Sequence, residues 1–349
     1  MATMVTIDGA RGGGQMLRNA VALAAICRRP VRVVNIRGGR PQPGLRPQHL
    51  TGVRAVAEVC HAELQGAEIG STEISLVPGS IAPRGDWRLD VGTAGSVTLI
   101  LQSLLPALAH AAEASQVTLL GGTDVPFAPP VDYFTHVFAP TLRLLGVDVE
   151  LRAARRGFYP KGGGEVTASV RPAARVRGIT WTERAKVVRV RGRSYSQGLP
   201  EHIAERMREA AVRTLGHGSY GKADVELEVV AEGPSTGCGI GVWAETPEGI
   251  ALGGNALGER GKPAERVGEE AAKMLLRELK GAGAVDSHLA DQLLVWLAVA
   301  DGPSEFTTSQ VTEHMSCAAE VALAVAGAHF TFDPGPPVLV RCQPAPRQD

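Results

Sequence analysis

The chain has 349 residues, 44% hydrophobic and 21% charged, with Lys plus Arg and Asp plus Glu equal at 36 each. That length excludes a small disulfide-stapled module and calls for one large domain or two units, and the balanced charge excludes a molecule-wide field that would draw the protein onto nucleic acid, so any polyanion contact must be local. The five cysteines are odd in number and contain no CxxC pair, indicating neither a disulfide framework nor a zinc site.

The N-terminal MATMVTIDGARGGG has no basic leader before an apolar core, which gives a cytosolic location as the expectation. Short β-branched runs at Met4 to Ile7 and Val31 to Ile36 flank a helix from Gln15 to Cys27, where Leu17, Ala20, Val21, Leu23 and Ala24 keep a 3.6-residue period. A second helix is expected over Gln48 to Glu63, then strand-like pieces at Ala67 to Leu76 and Trp87 to Val91. The order recurs with a helix at Ser96 to Ala112, a strand at Val117 to Leu120, a helix at Val131 to Leu145 and strands at Val147 to Leu151 and Gly164 to Val170. Gln102, Ser103 and His110 interrupt the apolar helix near Val97 to Ala112, which argues against a membrane span. GAEIGSTEISLVPG and RRGFYPKGGGEVTASVRP both read as hairpins after a helix, so the pattern is a duplicated α/β unit of roughly 90 residues.

Composition shifts near Thr182 to Lys186. A strand at Val187 to Val190, a helix at Pro200 to Leu215, strands at Val225 to Val230 and Gly239 to Ala244 and a helix at Pro263 to Leu279 then form a self-contained unit. After the Gly281 to Ala284 spacer, helices at Ser287 to Val299 and Thr308 to Ala326 and strands at Phe330 to Phe332 and Val338 to Arg341 resemble a third copy. The expected layout is a large domain of residues 1–183 and 284–349 interrupted by a small one of 184–283.

Chemistry concentrates in loops. Arg11-Gly12-Gly13-Gly14-Gln15 before a helix suits a phosphate at the helix N-terminus, or a plain tight turn, and is neither a GxGxxG nor a P-loop. Arg37, Arg40 and Arg46, on a loop stiffened by Pro and Gly, make a planar-fork anion clamp if they are not simply solvated. Gln102 lies one helical turn after Thr98. GGTDVPFAPPVDY and GFYPKGGGE are stiff loops of the kind that serve turns or line sites. Of the nine histidines, His49 merely closes the arginine loop and carries no mechanism in this reading, whereas His314 sits in a hydroxyl-rich stretch before an Ala/Val-rich helix. His288 opens His-Leu-Ala-Asp291-Gln292, whose polar groups suit the edges of a ligand.

Together GGGQMLRNA, IRGGRPQPGLRPQHL, GAEIGSTEI, TAGSVTLILQ, GGTD with APPVDY, GFYPKGGGEV, LGERGKPAERVGEEAAKMLL, HLADQL and VTEH resemble the RNA 3′-terminal phosphate cyclase family, in its order and over essentially the whole chain. The resemblance implies an α/β (α+β) fold of three repeated units similar to the C-terminal domain of translation initiation factor three, with a smaller four-stranded α/β insert. It implies an ATP-dependent ligase-class reaction that turns an RNA 3′-phosphate into a 2′,3′-cyclic phosphate through a histidinyl-AMP and an RNA-adenylate. By the same resemblance His314 is the nucleophile, and Gln102, Pro130, His288, Leu289, Ala290, Asp291 and Gln292 bind ATP. Gln15, Arg18, Arg37, Arg40, Arg46 and Gln48 bind phosphate or RNA, with Mg2+ or Mn2+ accompanying ATP. The family's glutamate before the GGGQ run is Arg11 here, and Arg offers no oxygen to a hard cation, so no metal ligand is assigned. The competing readings are a non-catalytic cyclase-like ribosome-assembly protein and an enolpyruvyl transferase.

Overall fold

The computed structural model describes residues 3–82, 85–218 and 220–346. In chain order, β1 (Val5–Asp8), α1 (Gln15–Cys27), β2 (Val31–Val34), α2 (Pro47–Val59), β3 (Glu63–Gln65) and β4 (Ile74–Val77) build a first sheet of order β1-β2-β4-β3. Only the β1/β2 pair is parallel, as the intervening helix α1 requires of a crossover connection. Next come β5 (Asp86–Asp90), α3 (Val97–Ala109), β6 (Ser115–Gly121), α4 (Val131–Tyr133), α5 (Ala139–Leu144), β7 (Val149–Arg155) and β8 (Gly164–Val170). These give β5-β6-β8-β7, the same order of connections, and a π-helical turn at Phe134–Phe138 joins α4 to α5.

Strand β9 (Thr180–Trp181) precedes β10 (Arg189–Gln197), α6 (Glu201–His217), β11 (Asp224–Val230), β12 (Gly237–Glu245), β13 (Ala251–Leu257) and α7 (Ala264–Lys280). Here the order is β11-β10-β12-β13, and α6 and α7 bury Ala204, Met207, Ala211, Val267, Ala271 and Leu275 in an apolar cluster separate from the main core. The chain ends with α8 (Ser287–Leu297), β14 (Ser304–Thr308), α9 (Glu313–Val321), β15 (His329–Asp333) and β16 (Val338–Gln343). Strand β9 pairs in parallel with β14, closing a sheet of order β15-β16-β14-β9. The molecule is thus a mixed α/β protein of four small mixed sheets.

The main core joins the apolar faces of α1, α3 and α8, including Leu17, Val21, Leu101, Leu105, Leu293 and Trp296. Two expectations are corrected. Helix α2 ends at Val59 and Glu63 already belongs to a strand, so the hairpin starts earlier than Ala67. Thr308 does not begin a helix: Ser304–Thr308 is a strand held between β9 and β16, and the helix waits for its Thr312 cap. Strand β13 was not expected, because ALGGNAL has little strand propensity. Its Gly253 is required by close packing, since a Cβ there would lie 2.6 Å from the Tyr133 ring. No helix among the described residues is long and apolar enough to cross a membrane.

Candidate functional site

Helix α1 rises directly out of the glycine run, and no side chain caps it. Helices α3, α8 and α9 are capped by Ser96 Oγ, Asp286 Oδ1 and Thr312 Oγ1, which accept from the N–H groups of Leu99, Leu289 and Met315. The difference leaves the positive end of the α1 dipole without a side-chain acceptor. Three shielded atoms on its first two turns, Gln15 Oε1, Arg18 Nε and Asn19 Nδ2, also lack any hydrogen-bond partner. An orphaned buried polar group costs on the order of 1–3 kcal/mol. Burial drives the Arg18 pKa down to about 10, so the guanidinium remains charged at neutral pH.

His49, which the sequence reading set aside, completes this corner. Its ring is buried, and Nδ1 accepts the Arg46 backbone N–H at 3.2 Å. Burial first, then the charges of Arg18, Arg37 and Arg46, lowers its pKa to about 3. The ring is therefore neutral with its proton on Nε2, a donor directed at Gly14, where any Cβ would collide with that nitrogen. Only a contact from a residue 35 positions away in sequence gives His49 this role, so no local signal carried it. Arg40 lies against Gly13, at 3.0 Å from where a Cβ would stand.

The other clamp residues divide. Arg37 turns inward and donates to the carbonyls of Gln42 and Gly44 at 2.7 and 2.9 Å, so it stiffens the loop. Arg46 is exposed at the start of α2. Gln48 accepts the Ser96 N–H at 2.8 Å and ties α2 to the head of α3.

His314 is the second residue of α9 and is solvent-accessible. Partial burial, then the charges of Arg18 and Arg40, outweighs Glu313 and holds its pKa below the ordinary imidazole range. A neutral ring nitrogen is the form that attacks phosphorus. Behind it, Thr312 donates to Asp291 of α8 while capping α9, which locks the two helices together. Burial pushes Asp291 up to about 7 against the lowering influence of Thr312. Gln102 Nε2 donates to Gln292 Oε1 at 2.9 Å, and Gln292 Nε2 donates to the His288 carbonyl at 2.9 Å. Pro130 is the residue before α4, and the Pro129 carbonyl accepts from Thr98 at 2.7 Å. His288 is exposed, whereas the Leu289 and Ala290 side chains face the core, so only their backbone could meet a ligand.

Arg11 projects onto α9, with Nη1 3.0 Å from Glu320 and Nε 3.9 Å from Glu313. The described residues form no group of three His, Cys, Asp or Glu side chains arranged for a metal. A cavity of about 520 Å³ opens elsewhere, beside Asp132, Arg152, Arg193 and Glu228. There Arg156 is buried and donates to Asp124, Asp132 and Glu228 at 2.7 to 3.2 Å, with its Cζ 3.6 Å from the Tyr195 ring centroid.

Residues 10–332 match the family profile of RNA 3′-terminal phosphate cyclase. The chain is 47% identical over 332 residues to the RNA 3′-terminal phosphate cyclase of Archaeoglobus fulgidus, covering 95% of this chain and 98% of that one. It is 44% identical over 313 residues to the protein of that name from Pyrobaculum aerophilum, 89% of each, and 43% over 335 residues to that from Pyrococcus abyssi, 95% of each. An enolpyruvyl transferase structure from Streptomyces tendae aligns with 99% of this chain and 66% of its own at 13% identity, with a TM-score of 0.27, too low to bear on fold or function. With the glycine run, the arginine loop and the helix bearing His314 all inside the matched span, the chain belongs to the RNA 3′-terminal phosphate cyclase family.

Proposed function

We propose that this protein converts RNA 3′-phosphate ends to 2′,3′-cyclic phosphates at the expense of ATP. The observation that carries the reading is His314, accessible at the start of a helix that Thr312 locks to Asp291 of α8, with its pKa held below the ordinary imidazole range by partial burial and the charges of Arg18 and Arg40. Its ring nitrogen attacks the α-phosphorus of ATP, the bond to pyrophosphate breaks, and a histidinyl-AMP forms. An oxygen of the RNA 3′-phosphate then displaces the histidine, leaving the RNA end adenylylated. The neighbouring 2′-hydroxyl attacks the activated 3′-phosphorus, loses its proton and expels AMP. Covalent relay divides one hard displacement into easier ones, and the last is intramolecular, needing little beyond alignment. Because DNA lacks the 2′-hydroxyl, only an RNA end can cyclise.

In this reading Arg18, Arg40, Asn19 and the His49 Nε2–H neutralise and orient phosphate oxygens. Gln102, Pro130 and the His288 to Gln292 turn hold the nucleotide, and Asp291 positions His314 through Thr312. Mg2+ or Mn2+ would enter on the ATP phosphates, since the described residues do not form a cage for it, and no step above is routed through it. We further read the three sheets of common strand order as repeats of one unit similar to the C-terminal domain of initiation factor three. Residues 184–283 are then an inserted domain within 1–183 and 284–349.

Incubation with α-phosphate-labelled ATP should give an acid-labile, base-stable protein-AMP adduct that His314→Ala abolishes. An adduct that survives the substitution, or that maps to lysine, overturns the assignment. Absence of any adduct with the native chain would favour the non-catalytic reading, to which the Arg11 replacement already gives a handle.

A further inference from the structure

We infer that Phe127 and Tyr159 form a stacking platform for the unpaired nucleotides just upstream of the RNA 3′-phosphate, an inference that rests on the functional reading above. The chain is poor in aromatics, and of its seven Phe, four Tyr and four Trp only these two are exposed, Phe127 at 99% and Tyr159 at 69%. Isolated exposed apolar residues are ordinary. Two exposed aromatics on adjoining loops, with every other aromatic at least partly covered, are not scatter.

The two loops are fastened to each other at their bases. The N–H groups of Thr123 and Asp124 both donate to the Gly157 carbonyl, at 2.9 and 3.2 Å, and Gly157 N donates back to Thr123 Oγ1 at 2.9 Å. Beside Tyr159, Phe158 is buried at 4% exposure, and its N–H donates to Ser235 Oγ at 2.8 Å. Ser235 Oγ in turn donates to the Gly162 carbonyl at 2.8 Å. Beneath lies the buried Arg156 cluster, in which Asp124 also accepts from Tyr195. The tips therefore stand on a rigid base while both rings remain in water. Phe127 holds a φ of +64°, a left-handed backbone conformation uncommon for a bulky residue.

The platform is continuous with the candidate site. Gly162 packs against Ala94, at 2.8 Å from where its Cβ would stand, and Gly95 meets Gln48 at 2.9 Å by the same measure. Gln48 immediately precedes His49, the donor at the α1 corner. In the other direction Pro130 follows Phe127 by three residues, a span of at most roughly 10 Å. Lys161, two residues after Tyr159, is exposed, as are Arg46 and Arg40 of the arginine loop. Aromatic faces beside a basic track are how single strands are held without sequence preference, because every base offers a π-face. A molecule without net charge needs such a local track.

The test uses the full chain and uridylates of one, three and six nucleotides ending in a 3′-phosphate. They compete at low salt against a 5′-fluorescent hexanucleotide read by anisotropy. Native protein should gain about tenfold in affinity per stacked base between one and three nucleotides. Phe127→Ala with Tyr159→Ala should remove about a hundredfold for the hexanucleotide, while Phe127→Trp and Tyr159→Phe retain it. A double variant that keeps the length gain, or native protein that shows none, overturns the platform. Histidine adenylylation and preference for 3′-phosphate over 3′-hydroxyl RNA are measured in parallel on native protein. If both are absent, the functional reading itself fails and the platform falls with it; if both are present and the variant keeps the length gain, the platform alone is wrong.

Discussion

Two polar regions of this molecule have opposite characters. At the junction between the β10 to β13 sheet and the β5 to β8 sheet, Arg156 is buried, yet it meets Asp124, Asp132 and Glu228, and Asp132 is also bonded by Arg193. Burial alone would lower the Arg156 pKa, but Asp124 and Asp132 raise it well above the usual arginine value. At the α1 corner, Gln15, Arg18 and Asn19 are shielded with atoms left unanswered. The Arg156 network pairs its charges within the chain, whereas the α1 corner leaves three buried polar atoms on adjacent turns without a partner, against single atoms at Ser196 and Thr308 elsewhere. A cavity of about 520 Å³ lies beside the satisfied network, so in the functional reading proposed above pairing, rather than volume, points to the ligand site.

The sharpest way to break that comparison is to exchange the penalties. Arg156→Ala should leave buried carboxylates uncompensated and cost on the order of 3–5 kcal/mol of folding stability, read by urea unfolding. Arg18→Ala should change stability by no more than about 1 kcal/mol, having no partner to lose. It should nevertheless weaken binding of phosphate-bearing ligands at least tenfold, the scale of one charge-assisted hydrogen bond. If Arg18→Ala proves the more destabilising of the two, the distinction collapses.

Asp291 provides a pH handle of a few kcal/mol. Its folded-state pKa of about 7 lies above the ordinary 3.8, so the folded state binds that proton more tightly than the unfolded chain does. The stabilising contribution is full below about pH 4 and disappears as pH rises through about 7. Asp291→Asn should flatten the stability profile across that window and gain on the native chain most above pH 7. Parallel profiles would show that the carboxylate is not desolvated.

Arg40→Lys replaces a fork by a point charge. Turnover of a short 3′-phosphate RNA should fall by about tenfold, and more than with Gln102→Ala, whose main effect should be on nucleotide affinity. Unchanged turnover would return the loop to a purely structural role. The smallest effect belongs to Arg11→Ala. Its pairs with Glu320 and Glu313 are exposed, and exposed pairs contribute at most about 1 kcal/mol, so a larger shift in the unfolding midpoint would mean that the glycine run depends on Arg11 for its shape.

Local chemistry was enough to read much of this molecule from its residues. Apolar periodicity located α1 because a helix face that meets a core must repeat every 3.6 residues, whatever that core is. The linked motif strings revealed the family, whereas the helix start near His314 was read too early, at Thr308 instead of after the Thr312 cap. Only tertiary contact decided the rest. Strand β14 is a strand because β9 and β16 lie on either side of it, and its five residues carry no period strong enough to announce that. His49 became a fixed donor because Gly14 and Arg18 close over it, Gln48 became a tie because Ser96 lies across from it, and Arg37 was spent on its own loop. Hydrophobic pattern is written along the chain at the spacing of one turn, whereas the partner of a charge or hydrogen-bonding group comes from wherever folding brings it, 72 residues away for Arg156 and Glu228. That is why the elements could be read in sequence order while the division between satisfied and unsatisfied polar groups required the folded chain.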